Sequence, residues 1–162
     1  MDRMTKLGSA LGQLLKDRNE SIAIAESSTG GLISAALLAV PGASKYFLGG
    51  GVIYTRAARR GLLVFSELDA KMRASTQDYA FRLASDIRYR LGATWGIGES
   101  GATGPTGNSY GDAPGHSCVA VCGPVTRAMT LETGSDVREA NMWRFAEEAI
   151  TFARQTIVDV NN

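Results

Sequence analysis

Three stretches of the chain gather residue types that can bind or attack a substrate. Glu26-Ser27-Ser28-Thr29-Gly30-Gly31 sets three hydroxyl side chains before two glycines. Where a strand ends and a helix begins, such a turn exposes backbone N–H groups that suit a phosphate or a developing oxyanion. Glycine lets a ligand approach the backbone without a Cβ clash. The plainer reading is that Ser or Thr simply caps the helix. The second stretch, Gly98 to Gly107, repeats glycine at every third position. It is too short for collagen and lacks the Gly-Lys-Ser/Thr of a phosphate-binding P-loop. A long loop in a compact domain is more often functional than idle. The third, Tyr54-Thr55-Arg56-Ala57-Ala58-Arg59-Arg60, would put Arg56, Arg59 and Arg60 on one helix face. Arginine suits phosphate, although a charge cluster is also what a solvated face looks like.

Other chemistries find little support. His116 is the only histidine, at the mouth of a strand, so a Ser–His–Asp triad has one available base. Cys118 and Cys122 lie in the apolar run SCVAVC. At i and i+4 of a strand they are roughly 13 Å apart, too far for a disulfide, and they read as buried thiols. Neither has histidines at metal-ligand spacing, so no metal is expected, and no G-x-G-x-x-G follows a strand. Seventeen basic residues face sixteen acidic ones for a net charge of +1. That balance gives no nucleic-acid surface and no polybasic membrane patch. The start has no secretory signal, and no apolar run approaches the roughly 20 residues that span a bilayer. A cytoplasmic protein is the expectation.

The elements that must position these stretches follow from periodicity. Met4, Leu7, Leu11, Leu14 and Leu15 predict a helix ending near Asn19, and 21–27 reads as a buried strand. LISAALLAV predicts a helix stopped by Pro41-Gly42, and a second strand is expected around 51–55. RAARRGLLVF should start as a helix and break at Gly61. Ser75 to Asp78 reads as a capping box opening a helix with core positions Ala80, Leu83, Ala84, Ile87 and Leu91. A third strand is expected over 93–99 and a loop over 98–115. SCVAVCG and TRAMTLET then form a hairpin, and a last helix starts near Asp136. Interleaved helices and strands over residues 1–162 predict one α/β domain, a three-layer α/β/α sandwich with the 21–27 strand central.

Taken together, these segments resemble the CinA C-terminal domain family, whose members include nicotinamide-nucleotide amidases. The family pattern A-E-S-C-T-G-G is matched by Ala25 to Gly31, with Ser28 in place of the cysteine. V-P-G-S-S-x-Y-F-x-G-G is matched by Val40 to Gly50, and T-G-I-A-G-P-x-G corresponds to Ser100 to Gly107. K-P-V-G-T-V corresponds approximately to Ala113-Pro114-Gly115-His116. The resemblance implies hydrolysis of the carboxamide of nicotinamide mononucleotide to a carboxylate and ammonia, with no cofactor and Ser27 as nucleophile. Tyr54 and Arg59 join it as catalytic residues. Ser28, Thr29, Gly30, Ser100, Gly101, Gly104, Arg56 and Arg138 are the expected substrate contacts, and a homo-oligomer is the expected assembly.

The family's Y-S-N-x-A-K segment, whose lysine activates the serine, here reads Tyr54 to Arg59, so arginine holds the lysine position and the asparagine is also lost. A desolvated lysine can shed its proton near neutral pH. Arginine holds its proton far more tightly and effectively does not. Of two family arginines near the C-terminus, Arg138 matches the first and Met142 replaces the second. Three functions therefore stand open: a serine amidase of this type, a non-catalytic nucleotide-binding paralogue of the same fold, or a pocket-free structural or competence-associated role.

Overall fold

The computed structural model describes residues 2–64 and 71–161. Helix α1 (Asp2–Arg18) leads into strand β1 (Ile22–Glu26), α2 (Leu32–Leu38), β2 (Phe47–Val52) and α3 (Arg56–Leu62). There follow α4 (Gln77–Leu91), β3 (Trp95–Ala102), β4 (His116–Cys122), β5 (Thr126–Glu132) and α5 (Arg138–Val158). The strands form one mixed sheet in the order β2-β1-β3-β4-β5. β1 pairs in parallel with both β2 and β3, whereas β3–β4 and β4–β5 are antiparallel. β3 is thus the middle strand, and β1, expected to be central, stands one place off centre.

Alternation along the strands sorts side chains into two cores. Ile22, Ile24, Trp95, Ile97, Val119 and Val121 pack on one face against Met4, Leu11 and Leu15 of α1, Ile33 and Leu37 of α2, and Ala149, Ile150 and Ile157 of α5. On the opposite face Ala23, Ala25 and Ile53 meet Tyr79, Leu83 and Ile87 of α4, and Ala120 meets Ala80 and Ala84. The sheet lies between these helix layers, as an α/β/α sandwich. Small residues let α4 close on β3: a Cβ at Gly98 would stand 2.0 Å from the Ala80 carbonyl oxygen, and one at Gly96 2.2 Å from that of Ala84. No helix among the described residues is long and apolar enough to cross a membrane.

Several expected boundaries move. β2 begins at Phe47, earlier than 51, and β3 runs through Gly98 to Ala102, so half of the expected glycine loop is strand. α3 continues through Gly61 to Leu62, while Phe65 of the same run lies outside the described residues. The cap of α4 is Thr76, whose hydroxyl accepts from Tyr79 N–H at 3.1 Å. Ser75 instead takes a left-handed conformation (φ 58) and is buried. Leu91, expected in the core, is 40% exposed at the helix end, and Phe145 of α5 is fully buried.

Candidate active site

The parallel strands β1, β2 and β3 end side by side, and in open α/β sheets ligands lodge outside the carboxyl ends of strands. The Glu26 carbonyl accepts from Ile53 N–H at 2.7 Å, so Ser27 and Tyr54 each follow directly on a bonded pair. On its other side Ala25 is level with Gly98, which brings Ser27 beside Ser100. Three segments far apart in sequence thus meet at one sheet end.

Two buried carboxylates organise the turn between β1 and α2. Glu26 and Glu99 lie on the same sheet face as Ile24 and Ile97, and both are fully buried. Glu26 accepts from Ile33 N–H (3.1 Å), Ser34 N–H (3.0 Å) and Ser34 Oγ (2.7 Å). It therefore serves the first-turn donors of α2, whose cap residue Gly31 has no side chain to do so. Glu99 Oε2 accepts from Ser27 N–H (3.0 Å) and Thr29 N–H (3.1 Å) and lies 3.0 Å from Thr29 Oγ1. Glu99 Oε1 accepts from Ser28 Oγ and, at 3.1 Å, from Ser117 Oγ. Burial pushes the Glu99 carboxyl above its ordinary pKa, and the hydrogen bonds from Ser28, Thr29 and Ser27 oppose that rise.

This arrangement engages part of the turn that was expected to meet an anion. The N–H groups at Ser27 and Thr29 are bound to Glu99 rather than open to a phosphate or oxyanion, and Gly30 N–H donates to the Ser27 carbonyl at 3.2 Å. Internal carboxylates fill the anion-binding geometry of the turn. Ser28 and Thr29 turn their hydroxyls inward to those carboxylates.

Ser27 differs from its neighbours. It is 9% exposed against 4% for Ser28 and none for Thr29, and among the described residues its hydroxyl makes no hydrogen bond. Ser100 is buried, and its Oγ accepts from Ser75 N–H at 3.2 Å. The three arginines do not share one surface. Arg56 and Arg60 are exposed, whereas Arg59 is buried with its guanidinium 4.6 Å above the Tyr79 ring. Burial pushes the Tyr79 hydroxyl above its ordinary pKa, with the Arg59 charge pulling the other way.

His116 faces away from base chemistry. Its Nε2 meets the Ser75 carbonyl at 2.8 Å and its Nδ1 meets the Glu132 carboxylate. Both partners are acceptors, which favours the protonated ring, and the Glu132 carboxylate, the Ser75 carbonyl and the Asp112 charge raise its pKa above the ordinary value against the opposing effect of burial.

A hollow of about 260 Å³ opens beside the sheet end, lined by Tyr54, Gly101, Ala102, Thr103, Gly104, Thr106, Gly107, Asn108 and Arg138. Arg138 donates to the Gly104 carbonyl at 2.8 Å and to the Tyr54 hydroxyl at 3.1 Å. Gly30 is exposed, and a Cβ there would lie 3.0 Å from Met142 Cε. A larger hollow of about 380 Å³, lined by Leu131, Glu132, Thr133, Ser135, Ala140, Asn141 and Arg144, holds none of the expected site residues. Four expected residues therefore line one cavity: Tyr54, Gly101, Gly104 and Arg138.

The sequence motifs left Glu26 and Glu99 without a role. A signal was present: each falls on the apolar phase of its strand, in IAIAE and WGIGE, where a carboxylate has to be paired or hydrogen-bonded.

The family model for the CinA C-terminal domain matches residues 4–157. A CinA-like protein of Prochlorococcus marinus (strain MIT 9313) is 41% identical over 119 residues, covering 73% of this chain and 28% of that protein. One from Synechococcus elongatus is 34% identical over 161 residues, covering 95% and 37%. The chain spans about a third of the length of these curated relatives. Among solved structures, a CinA superfamily protein of Klebsiella pneumoniae 700603 superposes with a TM-score of 0.88 at 23% identity, over 96% of this chain and 98% of that one. One from Enterobacter cloacae gives 0.86 at 26%, over 95% and 92%. Sequence and fold agree, and the chain belongs to the CinA C-terminal domain family.

Proposed function

We propose that this chain is a serine amidase acting on the carboxamide of a pyridine mononucleotide, with nicotinamide mononucleotide as the first candidate. The observation that carries the reading is Ser27: a hydroxyl that, among the described residues, makes no hydrogen bond, at the carboxyl end of β1, the sheet end at which Tyr54 and Gly101 line a cavity together with Arg138. The Ser27 oxygen attacks the carboxamide carbon, and its proton passes to the departing nitrogen, which leaves as ammonia. Water then hydrolyses the acyl-serine ester, releasing the carboxylate and restoring the hydroxyl. Arg138 is suited to the phosphate, since two of its five N–H donors are used on Gly104 and Tyr54. The cavity is slightly smaller than the roughly 300–1,000 Å³ typical of ligand pockets, so part of the nucleotide remains in solvent.

Proton removal from Ser27 is the weak step. Arginine is a poor general base, burial pushes the Tyr79 hydroxyl above its ordinary pKa, and both His116 nitrogens lie against acceptors, the Ser75 carbonyl and the Glu132 carboxylate. Missing general-base assistance typically costs about 10²–10⁴-fold, so turnover should be slow. The same observation favours a second reading, in which the chain binds the nucleotide without hydrolysing it. Ammonia release by the purified chain, set against nucleotide binding by calorimetry, separates the two.

A further inference from the structure

We propose that Glu99 is the positioning residue of the Ser27 turn, fixing from beneath where the Ser27 hydroxyl stands; its catalytic consequence rests on the amidase reading. Among the described residues, five groups lie within hydrogen-bonding distance of its carboxylate, and four of them belong to three consecutive residues, Ser27, Ser28 and Thr29. The fifth, Ser117 Oγ, ties the same carboxylate to β4. Among the described residues, Glu99 is the only side chain hydrogen-bonded to Ser27.

Stability alone does not account for a carboxylate here. A fully buried carboxylate is costly to desolvate, and a well-packed apolar side chain in such a place is often as stable or more so. What an apolar residue cannot supply is an acceptor for two backbone N–H groups of one tight turn. Glu26 performs a parallel task one step along the chain, holding Ile33 and Ser34 of α2. The Thr29 hydroxyl touches both carboxylates, at 2.7 Å from Glu26 and 3.0 Å from Glu99, so turn and helix are clamped together. A nucleophile displaced by about 1 Å can lose about 100-fold in rate.

The geometry calls for an acceptor at Oε2 and tolerates a donor at Oε1, where both partners are hydroxyls. Glu99→Gln can therefore satisfy the turn, whereas Glu99→Leu fills the space without an acceptor. The expected result is a kcat for Glu99→Gln near wild type and a loss of about 100-fold for Glu99→Leu, with KM unchanged in both. Equal kcat in Glu99→Leu and wild type overturns the proposal, and so does equal loss in Glu99→Gln and Glu99→Leu. Hydrogen exchange of the Ser27 and Thr29 amides gives a readout that does not depend on activity. Protection should persist in Glu99→Gln and vanish in Glu99→Leu while the Val119 and Val121 amides of β4 stay protected; unchanged protection in Glu99→Leu refutes the proposal even if wild type releases no ammonia. Wild type without ammonia release but with this exchange pattern refutes the amidase reading alone. Should Glu99→Leu fail to fold, Glu99→Asp, which retracts the acceptor by one methylene, must show reduced protection at Ser27; full protection refutes the proposal.

Discussion

Arg138, the first residue of α5, donates to the hydroxyl of Tyr54, 84 residues earlier in the chain, at 3.1 Å. The same guanidinium donates to the Gly104 carbonyl, so one side chain joins the connection after β2 to the glycine-rich segment after β3. Tyr54 and Gly104 both line the cavity, and Arg138 is the charged side chain of its lining.

Removing that side chain should weaken nucleotide binding. A hydrogen bond to a charged group contributes about 1.5–3 kcal/mol, so Arg138→Ala should raise the nucleotide Kd about 10–100-fold. Tyr54→Phe removes only a neutral acceptor and should raise it less. Calorimetric titration with the nucleotide checks both; equal affinity in Arg138→Ala and wild type would place the phosphate elsewhere.

Arg59→Lys tests the missing base. A lysine in that buried place can lose its proton near neutral pH, and the rate should rise by up to about 10²–10⁴-fold. The initial rate of ammonia release against pH should show a new basic limb in the variant. A wild-type rate that is already fast and does not respond would mean that another group takes the Ser27 proton.

Gly98→Ala tests the closeness of α4 to β3. The added methyl would sit 2.0 Å from the Ala80 carbonyl oxygen and 2.6 Å from the Ala84 nitrogen, both backbone atoms that cannot rotate away. The expected cost is about 1–3 kcal/mol or more, read as a lower urea midpoint at unchanged slope. A midpoint equal to wild type would mean that the helix is free to move off the sheet.

His116 should make stability depend on pH. Burial alone would lower its pKa, but the Glu132 carboxylate, the Ser75 carbonyl and the Asp112 charge together raise it above the ordinary 6.5. A group whose folded-state pKa is raised contributes fully below its unfolded value, and that contribution is lost as pH rises through the folded value. The melting temperature should therefore fall as pH increases from about 6.5, and His116→Asn should flatten that limb. An identical slope in wild type and variant would assign it to other groups.

The element order was legible because period and punctuation agree along most of the chain. Met4, Leu11 and Leu15 mark the buried face of α1, Ala80, Leu83 and Ala84 that of α4, and Gly123-Pro124 separates the hairpin strands. β3 was cut short because Gly98 and Gly101 read as loop, whereas they are small so that α4 and the β4 backbone can approach. The site was legible as segments and not as contacts. Ser27, Tyr54, Gly104 and Arg138 were named from motifs, but the closing of the turn's N–H groups by Glu99 depends on a β1–β3 register that no local pattern encodes. Arg59 read as part of a basic face; its burial over Tyr79 depends on where α4 lies against α3.

The measurement that bears most directly on the amidase reading is ammonia release from nicotinamide mononucleotide by the wild-type chain and by Ser27→Ala, with nucleotide affinity measured on both. The predicted result is slow release by wild type, none by Ser27→Ala, and nearly equal affinity, because the hydroxyl serves bond formation more than binding. Equal release by the two proteins, or binding without release by wild type and Arg59→Lys alike, would contradict it.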